Sequence, residues 1–190
     1  MISGYKRPMR LHQEDFCQAL GIPSSRKYAL STDDNLKRAF QIISSYSKNP
    51  IEDVTAFWKM ICFDYLVGNT DNHLKNFSLL YSADLSCVSL APAYDIISTT
   101  IYEGQTREMG IAINGKLNID EITEEDLFLE AKKSGMSAKT TEKIYSEMKT
   151  NFTEALISSA KELKKSGVKK VLEVCEKIIE SAESRGVIFG

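Results

Sequence analysis

Between residues 68 and 97 the chain reads Gly68-Asn-Thr-Asp71-Asn-His73-Leu-Lys75-Asn76-Phe-Ser-Leu-Leu-Tyr81, then Ser82 to Ser86, then Cys87-Val-Ser-Leu-Ala-Pro-Ala-Tyr94-Asp95-Ile-Ile97. A polar run, 69–76, gives way to two short apolar runs, Phe77–Tyr81 and Cys87–Ala91, and the Ser/Asp-containing turn between them predicts a β-hairpin. Upstream, Val54, Phe57, Trp58, Ile61, Cys62, Tyr65 and Leu66 form a wide apolar stripe at helical spacing. Pro50 restarts the chain before this helix, Ile51 to Val67, and Gly68 is placed to end it. The helix is expected to lie deepest in the core, with Trp58 and Phe57 as core residues and not a base-stacking platform. A loop dense in Asp, His, Lys and Asn thus sits between a buried helix and a hairpin. Loops positioned by a rigid scaffold are where catalytic groups collect.

The flanks read as helices. A short one is expected over Gln13 to Leu20, with Phe16, Cys17 and Leu20 on one face and Gly21 as its stop. Ser31 followed by Asp34 resembles a capping box for a helix reaching about Ser45, with Leu36, Phe40 and Ile43 inward. Residues 92–115 read as irregular apart from a short strand at Met109 to Ile113. Thr123-Glu-Glu-Asp126 caps a further helix to about Ser134, Ser137 opens a long one, Gly167 breaks it, and a last helix runs towards Ser184. The acidic run from Asp120 to Asp126 and the cluster Lys164, Lys165, Lys169 and Lys170 read as solvated helix faces. The expected organisation is one domain over 1–190: a lead-in segment at 1–10, a catalytic-loop core at 11–115 and C-terminal helices at 116–190. The fold class is mainly α with a small central β-hairpin.

Composition narrows the classes. The chain has 190 residues, 43% hydrophobic and 26% charged, with a net charge of −2, so no whole-chain field draws it to DNA or an anionic membrane. Direct nucleic-acid binding is therefore not expected. No apolar run approaches the roughly 20 residues of a membrane span, and residues 1–15 lack the apolar core of a signal peptide. Four cysteines, Cys17, Cys62, Cys87 and Cys175, form no CxxC pair. The expectation is a cytoplasmic chain with reduced thiols and no membrane partner.

Spacing carries the chemistry. Protein-kinase catalytic loops place an Asp five residues before an Asn: the Asp orients the substrate hydroxyl and the Asn holds Mg²⁺. Asp71 and Asn76 have that separation, Asp95 stands where a second acid would follow the hairpin, and Lys75 offers a cation to developing phosphoryl charge. The reaction class that fits is phosphoryl transfer. Two plainer readings stand beside it. Asp, Asn and Gly are common in any helix-to-strand connection, and His73 by itself is more often structural than catalytic. A metal-dependent hydrolase on Asp71, His73 and Asp95 is the competing enzyme class, short of ligands because the other histidine, His12, has no partner nearby in sequence.

Three blocks, Arg10-Leu-His-Gln-Glu-Asp-Phe-Cys-Gln-Ala-Leu-Gly-Ile-Pro-Ser-Ser25, Gly68 to Ser78 and Leu90 to Ile97, resemble the C-terminal region of the HipA-like serine/threonine kinase toxins. The resemblance covers most of residues 10–100 and implies a protein-kinase-like C-lobe, a helical bundle with a small hairpin. It implies Asp71 as the catalytic residue and Asn76 and Asp95 as Mg²⁺ ligands. His73, Lys75, Asn76, Tyr94 and Asp95 would line ATP, although Tyr94 could equally pack the hairpin. It further implies a protein substrate phosphorylated on Ser or Thr and a helix-turn-helix antitoxin as partner. The chain departs from the family pattern in one respect: among its ten glycines no pair is spaced GxG, and no lysine in a strand-like context precedes the first block. The N-lobe is thus expected to be absent, the ATP site incomplete, and activity weak or missing unless an N-lobe is supplied in cis or trans. The alternative is a non-catalytic interaction module binding an antitoxin or another protein.

Overall fold

Pro50 to Val67 carry a wide apolar stripe, and the hydrophobic core is built on it. A computed structural model describes residues 10–23 and 34–188. In chain order these form β1 (Gln13–Asp15), α1 (Phe16–Ala19), α2 (Asn35–Tyr46), α3 (Pro50–Val67), β2 (Ser78–Tyr81), β3 (Val88–Leu90), β4 (Glu108–Ile113), β5 (Lys116–Asn118), α4 (Glu124–Lys133), α5 (Ala138–Lys165) and α6 (Val171–Ser184). Leu74–Asn76 make a 3₁₀ turn. Residues 1–9, expected as a lead-in segment, and Ser31, expected in a capping box, lie outside the described residues.

Helix α3 carries Pro in its first turn, where a missing N–H costs nothing, and Glu52 and Asp53 beside it answer the positive end of the helix dipole. Phe57, Trp58, Ile61, Cys62 and Leu66 are wholly buried, as the stripe predicts. Burying each such side chain stabilises the fold by roughly 1.5–3 kcal/mol. Phe57 is the hub: the rings of Phe16, Phe40 and Phe77 lie 5.3, 4.8 and 5.2 Å from it, so α1, α2 and the segment before β2 converge on one side chain. On another side of α3, Phe152 of α5 meets Phe63 at 6.2 Å. At the C-terminal end of α3, the Arg185 guanidinium donates to the carbonyls of Tyr65 and Leu66, both at 2.8 Å. It satisfies two end carbonyls and places a cation at the negative end of the dipole.

The hairpin forms as expected, with Leu79 opposite Leu90 and Tyr81 opposite Val88. Residues 13–20 do not form the single helix that periodicity predicts. Gln13–Asp15 instead pair antiparallel with β2, Glu14 opposite Leu79, giving the sheet order β1-β2-β3. Only one helical turn follows. Asp15 caps it, accepting from Gln18 N at 2.8 Å while Gln18 Oε1 accepts from Asp15 N at 3.0 Å. The cap sets the helix start at Phe16, and the edge of the hairpin takes the preceding backbone groups.

A second hairpin joins β4 to β5. Its turn is Asn114-Gly115, with φ of +51° and +81°, the dipeptide that a type I′ turn favours. The expected strand at 109–113 is present, and β5 is the addition. Further on, Thr123 caps α4 and Gly167 (φ +92°) breaks the helical run after α5. Lys164, Lys165, Lys169 and Lys170 are exposed, and Val174, assigned by spacing to the apolar face, is 39% exposed. Asp126 is not the solvated residue expected. It is buried, accepting from Asn114 Nδ2 at 2.8 Å and from Lys116 Nζ at 2.7 Å. Among the described residues no helix is long and apolar enough to cross a membrane.

Candidate active site

Gly68 ends α3 in a left-handed conformation, φ +77°, and turns the chain into the polar loop. Its carbonyl receives Thr99 N at 3.0 Å, Thr100 N at 3.2 Å and Thr99 Oγ1 at 2.9 Å, so the segment after the hairpin is sewn to the start of the loop. Thr99 Oγ1 also accepts from Thr70 N at 2.8 Å.

Asp64 stands in the last turn of α3, buried among apolar neighbours. It holds Asn69 twice, its carbonyl accepting Asn69 N and its Oδ1 accepting Asn69 Nδ2, both at 2.8 Å. Burial pushes its carboxyl up to about 7, opposed by the bond from Asn69. Asn69 Oδ1 in turn accepts from Asp71 N at 3.1 Å. A buried carboxylate, through one amide, thus fixes the backbone of Asp71. The Asp71 side chain is 46% exposed, and His73 Nε2 lies 3.8 Å from its Oδ1.

Asn76 reaches back across the loop, its Nδ2 donating to the Asp71 carbonyl at 2.8 Å. This commits the nitrogen end of the amide and leaves Oδ1 as the end that can ligate a cation. His73 braces the same turn from inside: its N–H donates to the Asp71 carbonyl and its carbonyl accepts from Asn76 N, both at 2.9 Å. Strand β4 closes the loop from the other side. Gly110 N donates to Thr70 O at 2.9 Å and to Asn72 Oδ1 at 3.1 Å. A Cβ on Gly110 would lie 2.7 Å from His73 N, so no side chain fits there.

Asp95 follows the hairpin in a left-handed conformation, φ +56°, with its side chain exposed. It shares with Asn76, Asp64 and Asn69 a recess of about 10 Å³, the room of one water-sized occupant. An amide oxygen and a carboxylate are donors of the kind Mg²⁺ takes, alongside waters and phosphate oxygens. Asp71 opens instead on an adjoining cleft of about 500 Å³ with Thr70, Thr99 and Glu108. The fold therefore brings Asn76 and Asp95 together and sets Asp71 next door, tied to them by the Asn76–Asp71 bond. Among the described residues no three His, Cys, Asp or Glu side chains gather as a metal group, so a hydrolase centre on Asp71, His73 and Asp95 finds no geometric support.

Lys75 is half-buried on the 3₁₀ turn, and its carbonyl accepts the Tyr94 hydroxyl at 2.7 Å, while that hydroxyl also bonds Ser78 Oγ. The Tyr94 hydroxyl is thus occupied in clamping the hairpin to the loop. Residues that sequence reasoning passed over are Asp64, Asn69, Thr70, Thr99 and Gly110. Two carried a signal: Asp64 is a carboxylate beside the apolar stripe, and Gly110 is a glycine inside a strand pattern, which marks close backbone approach.

A buried helix ended by a left-handed glycine, a loop whose Asp and Asn are bonded across five residues, and an acid following the hairpin together define the C-lobe of a protein-kinase-like fold. Comparison with known proteins agrees. The family model of the HipA-like C-terminal domain matches residues 1–156, and the chain belongs to that family. It is 37% identical over 127 residues to "Putative kinase Y4mE" of Sinorhizobium fredii, covering 67% of this chain and 30% of that protein. To the serine/threonine-protein kinase toxin HipA of Shewanella oneidensis it is 30% identical over 132 residues, covering 64% of this chain and 30% of the toxin. The fold is similar to that of Shewanella oneidensis HipA solved with HipB and operator DNA, with a TM-score of 0.78 at 22% identity over 97% of this chain and 46% of that one. The chain thus spans about a third of the length of these curated relatives.

Proposed function

We propose that this chain is the catalytic-loop lobe of a HipA-like serine/threonine protein kinase, the toxin component of a toxin–antitoxin pair. The observation that carries the reading is the Asn76 Nδ2 bond to the Asp71 carbonyl, with Asp95 on the same recess as Asn76. Asp71 is the catalytic carboxylate: half-exposed and held by its backbone, it orients the acceptor hydroxyl of a protein Ser or Thr and takes its proton. Asn76 Oδ1 and Asp95 hold Mg²⁺, which supplies charge neutralisation on the phosphates of ATP when bound. Lys75 adds a cation at the nucleotide side. His73 and Tyr94 act as positioning residues, one bracing the loop and the other clamping it to the hairpin. The nucleotide site is completed by an N-lobe, a helix-turn-helix antitoxin is the regulatory partner, and the reaction takes place in the cytoplasm.

The test is transfer of labelled γ-phosphate from Mg-ATP to protein, by this chain alone and with the N-lobe of a HipA-like kinase added. Transfer in the mixture is expected, reduced at least ~100-fold in Asp71→Asn with the fold retained by circular dichroism. Transfer in neither case, together with no calorimetric Mg-ATP binding, overturns the kinase reading in favour of a protein-binding module.

A further inference from the structure

The cleft beside Asp71 has a charge character of its own. Its lining includes Thr70, Asp71, Ile97, Glu108, Met109 and Leu117, and among the described residues its charged members are the carboxylates Asp71 and Glu108, with no Lys or Arg. The neighbouring cation, Arg107, is turned away and paired with Asp120, Nε to Oδ2 at 2.7 Å. Among the described residues no ion pair occupies the Glu108 carboxylate, and its side chain is exposed. Glu108 and Gly110 both line this cleft, and Gly110 packs against His73 of the polar loop. Two strand residues span roughly 7 Å, so Glu108 stands about two residues of extended chain away from the loop that presents Asp71. Ile97, 47% exposed, supplies apolar surface between them.

We propose that this cleft seats the acceptor segment of the protein substrate, and that Glu108 selects a basic side chain two or three residues from the phosphorylated Ser or Thr. The proposal rests on the kinase reading above for the identity of the acceptor. Charge complementarity decides the class of occupant: a cleft with two carboxylates and no cation repels a phosphate backbone and favours a basic peptide.

The test uses the full chain and fluorescence anisotropy, with labelled Ser peptides that carry Arg, or Glu, two and three residues from the Ser. No nucleotide is needed, so binding is read apart from catalysis. The Arg peptide is expected to bind at least ~10-fold more tightly than the Glu peptide, and Glu108→Lys to reverse that preference. Glu108→Gln, which adds no like charge, is expected to shrink the difference and carries the test should Glu108→Lys fail to fold. Equal binding of both peptides, or a preference unchanged in Glu108→Gln, overturns the proposal. A charge swap that works while no phosphate transfer is ever seen retains the cleft and overturns the kinase reading. Transfer that is indifferent to Glu108 does the reverse.

Discussion

In the segment from Asp64 to Asn76 most polar side chains are buried and answer particular backbone or amide groups, whereas along α5 and α6 most charged side chains stand in solvent. Asp64, Asn69, Thr70, Asn72, His73 and Asn76 are all buried. The bonds among Asp64, Asn69, Asp71 and Asn76 form one path. On the C-terminal helices, Lys143 pairs with Glu147 at 3.7 Å and Lys177 with Glu173 at 2.9 Å, each one helical turn apart and exposed. Polar groups of the first kind lose water on folding and must recover it in bonds of fixed geometry. Those of the second kind never leave water. Both regions have similar sequence polarity, but only the first is held in a fixed geometry by buried bonds.

The comparison can be broken at several points. Gly68→Ala should cost the most stability. A Cβ there would meet Thr100 Oγ1 at 2.0 Å, and the left-handed φ of +77° disfavours alanine. Thr100 Oγ1 also bonds Ser181 Oγ of α6 at 2.8 Å, so the disturbance would reach the C-terminal helices. A loss of about 3 kcal/mol by urea unfolding is expected. Asn69→Ala should cost about 2 kcal/mol by the same measurement, because it strands the buried Asp64 carboxyl and frees the Asp71 backbone, and it should lower phosphate transfer as well.

Asp126, on α4 and bonded to the β4–β5 hairpin, gives a pH signature of its own. Burial would raise its carboxyl, but the bonds from Lys116, Asn114 and Thr123 prevail and hold it well below the usual range. A depressed folded pKa means the unfolded chain takes up the proton first. Its stabilisation is therefore full above pH 4 and lost as pH falls further. Asp126→Asn should flatten the melting-temperature profile below pH 4, removing on the order of 2 kcal/mol of pH dependence. An unchanged profile would assign the acid sensitivity elsewhere. The smallest effect is expected at Lys177→Ala, whose unfolding midpoint should match that of the parent chain, since exposed pairs one turn apart contribute little. A large loss there would erase the contrast between the regions.

Much of the fold was legible because its signals are local. The α3 stripe, the Thr123 cap, the Gly167 break and the 77–91 hairpin depend on residues within a few positions of one another. The misread segments depend on distant partners: β1 is a strand because β2 offers it an edge, and Asp126 is buried because the β4–β5 turn reaches it. The second hairpin was readable from Asn114-Gly115, a signal that was present but not used. At the site, spacing singled out Asp71, Asn76 and Asp95 as one set. Their placement on two adjoining recesses was not readable, nor was the bracing by Asp64, Asn69 and Gly110.

By itself, then, the sequence determined the longer helices, which of them is buried, and which acids and amides stand at kinase-like intervals, because helix periodicity, caps and turns act over a few residues. Only the tertiary structure decided that Tyr94 clamps the hairpin, that Glu108 faces the cleft at Asp71, and that a buried carboxylate holds the catalytic loop. Those outcomes depend on hydrogen bonds and close packing between residues five to forty positions apart, which local periodicity, caps and turns do not encode.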